Sequence, residues 1–297
     1  MFQDLIDRKL VQKKTYENGL SVYKYTRKVF YDALWNEDAR LLDARGMVLD
    51  AEGNKVIWPF TKIFNRGENG TDVDRDQMVV CADKMNGFMA SVRQYSGELL
   101  VSTTGTLDSE YATMARETIL KQYEGSASGW IALSRWTLLF EIVHEDDPHI
   151  VHEEPGAYLI GMREMSTGVM EQEHFLDWIA ARFGFSRSTW SVKRFGDVVE
   201  DMKTSEREGC VVRHVTSGEL LLKIKTPHYL TKKFLMRMGK GKVENMFDDT
   251  KTFLRTIDEE FYGIVEYITQ GFSKEVWLSF TDQQRRSRIE DYFNEGE

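Results

Sequence analysis

Proline and cysteine are scarce in this chain, with four and two among 297 residues, and long apolar runs are absent. Little proline, with no repeat or low-complexity tract, excludes long disordered linkers. A stretch of roughly eighteen apolar residues, the least a membrane-spanning helix needs, occurs nowhere, so no membrane partner is expected. Met1 to Lys9 holds no apolar run of signal-peptide length, so the expected location is the cytoplasm. Cys81 and Cys210 lack metal-type spacing. Two buried free thiols are expected in preference to a disulfide.

Positive charge is also in deficit. The 39 Lys and Arg face 48 Asp and Glu, for a formal net charge of −9. That total argues against a general grip on nucleic acid, which needs cations on phosphates. Distribution counts for more than the total. Lys223, Lys225, Lys232, Lys233, Arg237, Lys240 and Lys242 follow one another with no carboxylate between them, and acids dominate from Asp248 onward.

What is present is an ordinary globular composition, 41% hydrophobic and 29% charged, in a chain long enough for a large and a small domain. Apolar and polar residues alternate at 46–50 and 55–58, around a glycine turn, as strands do. Further strands are expected at 79–81, 88–95, 99–103, 137–143, 158–162, 210–214 and 219–225. Helical spacing marks 109–122, 171–182 with Gly184 as a stop, and 195–202. From Val243 onward the chain is nearly glycine-free and helical in period, after Gly239-Lys240-Gly241, which reads as a hinge. The expected fold is α+β: an antiparallel-sheet domain over 1–238 and a small all-helical domain over 239–297.

Lys84 stands in Asp83-Lys84-Met85-Asn86-Gly87, after the apolar Val79-Val80-Cys81. A strand delivering a lysine into a tight Asn-Gly turn allows close approach of a phosphate. Apolar walls and neighbouring cations there would depress the amine toward a nucleophile. Alone, such a motif is usually a surface turn. Downstream come Glu141 within an apolar strand, Glu208-Gly209 at the entry to another, and Lys223-Ile224-Lys225 closing a third, the two lysines on one face. Each alone is an ordinary strand end; the order is much harder to reach by chance.

This series resembles motifs I, III, IV and V of the covalent nucleotidyltransferases, the superfamily of ATP-dependent DNA ligases, RNA ligases and messenger-RNA capping enzymes. Tyr158 to Arg163 resembles motif IIIa. Arg45-Gly46 and Lys62-Ile63-Phe64-Asn65, followed by Glu68, all upstream of the lysine, are similar to the T-even phage RNA ligase 1 group. The resemblance spans about residues 20 to 230. It implies a nucleotidyltransferase (adenylation) fold and an RNA ligase that joins 5′-phosphate to 3′-hydroxyl ends in RNA repair, in a phage-infected host. Lys84 would become lysyl-AMP, Lys223 and Lys225 would sit on the α-phosphate of ATP, and Arg45 and Lys62 would hold outer phosphates or ribose. Asn86 and Gly87 would shape the nucleotide site. Glu208 would bind Mg2+, with Mn2+ as the alternative ion, and Glu141 would orient Lys84 or the ribose and assist the metal.

Asn86 takes the less common choice before the motif I glycine, Ile63 replaces the first of two paired aromatics, and the carboxyl-terminal region matches no known specificity domain. A DNA-strand ligase, a capping-type enzyme and a non-catalytic nucleic-acid-binding module on the same fold stay open as alternatives. His144, His149 and His152, among acids and beside Pro148, match no zinc spacing and read as a solvated loop. Trp130, Trp136, Trp178 and Trp190 read as packing residues.

Overall fold

The computed structural model describes residues 1–147 and 150–295. Pro148 and His149 of the acidic loop, the side chains of Arg237 and Lys240 in the basic run, and Glu297 lie outside the described residues. The strands are β1 Val11–Thr15, β2 Ser21–Tyr25, β3 Arg45–Leu49, β4 Lys55–Ile57, β5 Met78–Asp83 and β6 Phe88–Tyr95. They continue as β7 Glu98–Ser102, β8 Trp136–Val143, β9 Gly156–Glu164, β10 Trp190–Arg194, β11 Gly209–His214 and β12 Leu220–Lys225. They form three four-stranded sheets, β1-β2-β3-β4, β10-β5-β11-β12 and β7-β6-β8-β9. Every pairing within them is antiparallel. Ser96 and Gly97 both take positive φ, as a two-residue hairpin between β6 and β7 requires.

Each sheet is covered by elements whose apolar residues recur at helical spacing. The helix Glu110–Gln122 starts at Ser109, whose hydroxyl accepts the Ala112 N–H, and it buries Ala112, Ala115 and Ile119. The helix Phe195–Thr204 buries Phe195, Val198, Val199 and Met202 against Val79, Val212 and Ile224 of β5, β11 and β12. Fully burying one such side chain contributes about 1.5–3 kcal/mol, so this single helix face fixes the sheet that carries Lys84. Glu173–Phe183 ends at Gly184 with φ +81, the left-handed cap that the glycine stop foretells.

The last helices run from Pro227–Arg237 to Asp282–Glu295 around a separate core containing Phe234, Met246, Phe261, Ile264, Ile268 and Trp277. Leu230, Phe234 and Leu235 already belong to that core, upstream of residue 239. Gly239 stands at the N-cap of the helix Lys240–Asp248, which takes in Gly241. Trp130 is buried as expected, whereas Trp178 is 60% exposed and stacks on Phe175, so it is no core residue. Cys81 and Cys210 are buried and free. Among the described residues no helix is long and apolar enough to cross a membrane.

Candidate active site

Residues of all three sheets meet at one cavity of about 330 Å³, lined by Arg45, Lys84, Gly87, Glu141, Glu208, Lys223 and Lys225 among others. Two glycines let the backbones close around it. The Lys84 N–H donates to the Gly209 carbonyl at 3.0 Å, tying the lysine turn to the start of β11. A Cβ on Gly209 would stand 1.9 Å from the Ile224 carbonyl oxygen, so no side chain fits between β11 and β12 there. A Cβ on Gly87 would stand 2.2 Å from the Ile142 carbonyl oxygen and 3.1 Å from Glu141 Cγ. With hydrogen in its place, the Gly87 N–H donates to Glu141 Oε1 at 3.2 Å.

At this end Lys84 Nζ lies 2.8 Å from Glu208 Oε1 and 3.9 Å from Glu141 Oε1. Both carboxylates are buried. Asn86 is not among the lining residues but holds one of these carboxylates: its Nδ2 donates to Glu208 Oε2 at 2.9 Å, and its Oδ1 accepts the Val151 N–H at 3.0 Å. Burial pulls the Lys84 amine down, but the charges of Glu208 and Glu141 outweigh it, and the amine sits above the ordinary lysine value. This overturns the expectation of a depressed lysine, because two carboxylates stand within 4 Å of the amine and their charges outweigh burial. Burial pushes Glu141 up, against the pull of Lys84.

The other end is built on β12. The segment after Ile63 runs beside it: the Lys223 N–H donates to the Phe64 carbonyl at 2.9 Å and the Arg66 N–H to the Lys223 carbonyl at 3.0 Å. Among the described residues no carboxylate comes within 4 Å of the charged ends of Arg45 or Lys223. Burial first, then the charges of Lys225, Arg45, Lys62 and Lys84, pull Lys223 down to about 7. Lys62 does not line the cavity. Its amine is held 2.9 Å from Glu68 Oε1 and 5.0 Å from the ring centres of Trp35 and Phe64, and its charge acts on Lys223.

Two parts of the site escape sequence reasoning. Lys225 is ion-paired with Glu260, a residue of the helical region that also pairs with Lys233, while Lys233 takes Asp258 Oδ2 at 3.0 Å. The basic run from Lys223 to Lys242, with no carboxylate of its own, signals that partners must come from elsewhere; nothing singles out Glu260 among the acids beyond it. On another wall, buried Glu173 and Arg213 approach to 2.9 Å, and nothing in their local sequence announces it. Among the described residues no three His, Cys, Asp or Glu gather as a metal cluster.

The antiparallel sheets and the helical carboxyl-terminal region match the nucleotidyltransferase fold of solved ATP-dependent ligases. Two solved forms of an archaeal ATP-dependent RNA ligase align with 98% and 97% of this chain and 74% of theirs, at TM-scores of 0.60 and 0.61 and 15% identity in both. A chain from Aquifex aeolicus, provisionally named an ATP-dependent DNA ligase, aligns with 97% of this chain and 75% of its own at 0.59 and 12% identity. No protein-family model matches the sequence, and no curated protein does either.

Proposed function

We propose that this chain is an ATP-dependent RNA ligase of the phage RNA ligase 1 kind, acting through lysyl-AMP to join 5′-phosphate and 3′-hydroxyl ends in RNA repair. One observation carries the reading. A lysine ammonium lies 2.8 Å from a buried carboxylate, in the same cavity as Arg45, Lys223 and Lys225. In the first step the Lys84 ammonium gives a proton to Glu208, the carboxylate in contact with it. The free amine attacks the α-phosphorus of ATP; an N–P bond forms, the bond to the β-phosphate oxygen breaks, and pyrophosphate leaves. Lys223, Lys225 and Arg45 meet the phosphate charge, and holding attacking and leaving groups in line supplies much of the catalysis. AMP then passes to a 5′-phosphate, and a 3′-hydroxyl displaces it.

Glu141 and Glu208 offer only oxygen donors, which suit a hard divalent cation such as Mg2+ or Mn2+, its shell completed by water and phosphate. When bound, that ion would neutralise charge on the transferring phosphate. Residues 1–238 would form the adenylation unit and 239–297 a helical unit, tied across the boundary by Glu260 on Lys225.

Incubation with α-labelled ATP should leave label on the protein, and Lys84→Ala should abolish it. An unlabelled wild-type protein, or undiminished label in the variant, sinks the reading. Sealing of nicked RNA, DNA and mixed strands then separates an RNA from a DNA ligase, and a preference for GTP marks a capping-type enzyme.

A further inference from the structure

Outside the catalytic cavity, one depression rich in lysine and free of carboxylates lies on the amino-terminal sheet. It measures about 680 Å³ and is lined by Lys9, Gln12, Lys13, Lys14, Lys24 and Thr26. In a protein of net charge −9 this is a local reversal of sign. Lys14 is neutralised by Asp108 at 2.5 Å. Lys9, Lys13 and Lys24 are exposed and, among the described residues, have no carboxylate within 4 Å. Lysines on an outer strand commonly guard it against edge-to-edge pairing, and Lys13 on β1 could serve that purpose. Lys9 precedes the strand, and Lys24 lies on β2, which is paired on both sides. Edge protection does not account for those two.

The groove also leads somewhere. Lys24 and Gly105 belong both to it and to a second depression of about 410 Å³, where Phe88 and Tyr111 stand edge to face with ring centres 4.8 Å apart. Tyr111 is 44% exposed. Met89 and Thr104 belong both to this second depression and to the cavity of Lys84. Lysines followed by accessible aromatic rings suit a single nucleic-acid strand, whose phosphates take the cations and whose unpaired bases stack.

We propose that a single strand of the RNA substrate runs from the Lys9, Lys13 and Lys24 groove, over Phe88 and Tyr111, to its reacting end at Lys84. This rests on the ligase reading for its destination, and its test is kept separate from that reading. A fluorescein-labelled single-stranded RNA of about twelve nucleotides is titrated against the full chain at several salt concentrations. Lys9→Glu/Lys13→Glu should weaken binding at least about tenfold and lower the salt slope by about 1.4, two single-strand phosphate contacts' worth. Tyr111→Leu should weaken binding about fivefold or more with the salt slope unchanged. Self-adenylation should be normal in the double-lysine variant, which also reports that it is folded.

Normal adenylation with unaltered RNA affinity and slope overturns the path. Displacement of the RNA by polyglutamate as readily as by unlabelled RNA also overturns it, in favour of an acidic protein partner. Should the variant not fold, photo-crosslinking of 4-thiouridine RNA to the wild-type chain decides. Adducts within 9–24 or 88–111 support the path, and adducts confined elsewhere refute it. A wild-type chain that takes no label from ATP defeats the ligase reading, while the binding and crosslinking results still judge the groove.

Discussion

The two ends of the cavity hold lysines in opposite conditions. Lys84 lies between Glu208 and Glu141, and their charges raise its amine. Lys223, in the same cavity, meets buried surroundings and four cations, and falls to about 7. One end is internally neutralised. At the other, Lys223 and Arg45 have no carboxylate within 4 Å of their charged ends among the described residues, so that end gains most from an incoming anion. Lys225 is the intermediate case, cationic company on one side and Glu260 on the other. The difference teaches that lysines sharing one site can act in different ways. On the proposed mechanism a lysine held by carboxylates must be released to react, while a lysine without them would meet phosphate.

The largest expected effect breaks the neutralised end. Lys84→Ala should lower adduct formation by roughly 10³-fold or more, read by α-labelled ATP. It should also cost about 3 kcal/mol of stability, since Glu141 and Glu208 are left buried without their cation; denaturant melts measure this. Undiminished stability would mean the two carboxylates take up protons or water at no cost, and the contrast between the ends would weaken. Glu208→Gln comes next. It would remove the proposed acceptor of the Lys84 proton and one oxygen donor of the proposed metal site, with an expected loss of about 10²- to 10³-fold in adduct formation. Activity within about threefold of wild type would transfer the proton-accepting role away from Glu208.

Much of this arrangement is legible in the sequence. The strands that carry Glu141 and Lys223, and those that Lys84 follows and Glu208 precedes, are marked by apolar runs, alternation and neighbouring glycines, and these side chains do share one cavity. Local sequence codes for strands and turns, and motif order carries the long-range part. Whether a lysine is raised or lowered depends on which charge lies nearest across sheets, a distance that no spacing records. For Lys84 the nearest charge is a carboxylate, 124 residues further along the chain. Asn86 and Lys62 illustrate the same limit. Both stand where the motifs put them, yet the structure turns one onto Glu208 and the other onto Glu68, off the cavity wall. The strands β1, β2 and β10 escape notice because their exposed residues mix charged, polar and apolar side chains and their buried patterns are short or lacking.

The positive end is sharpened by a proton count. With its amine at about 7, Lys223 is mostly neutral at pH 8, and an anion bound beside it favours the charged form. Binding α,β-methylene ATP, which cannot be cleaved at the bond Lys84 would break, should therefore draw up to about one proton from solution at pH 8. Titration calorimetry in buffers of different ionisation enthalpy measures the uptake. Lys223→Met should lack it, and the difference between the two proteins removes any proton the nucleotide itself exchanges. Equal uptake in both would show that Lys223 is already charged, and the two ends would then be alike.

The smallest effect concerns Glu260, which makes Lys225 the intermediate case. Buried though it is, the pull of Lys225 and Lys233 outweighs desolvation and holds its carboxyl down at about 2, against an ordinary value of 4.5. A carboxyl depressed by folding stabilises the fold at pH above its unfolded value, and that contribution is lost as pH falls toward its folded value. Glu260→Gln should therefore cost about 2 kcal/mol at neutral pH, the scale of a hydrogen bond to a charged group. The gap between wild type and variant should stay level down to about pH 4.5 and then narrow as the pH approaches 2. Thermal melts across that range follow it. A gap that persists at the acid end would mean that Glu260 acts through packing and not through its charge. A gap that closes on schedule keeps Lys225 as a charge held in reserve by the helical region, released only when that carboxylate moves or an anion replaces it.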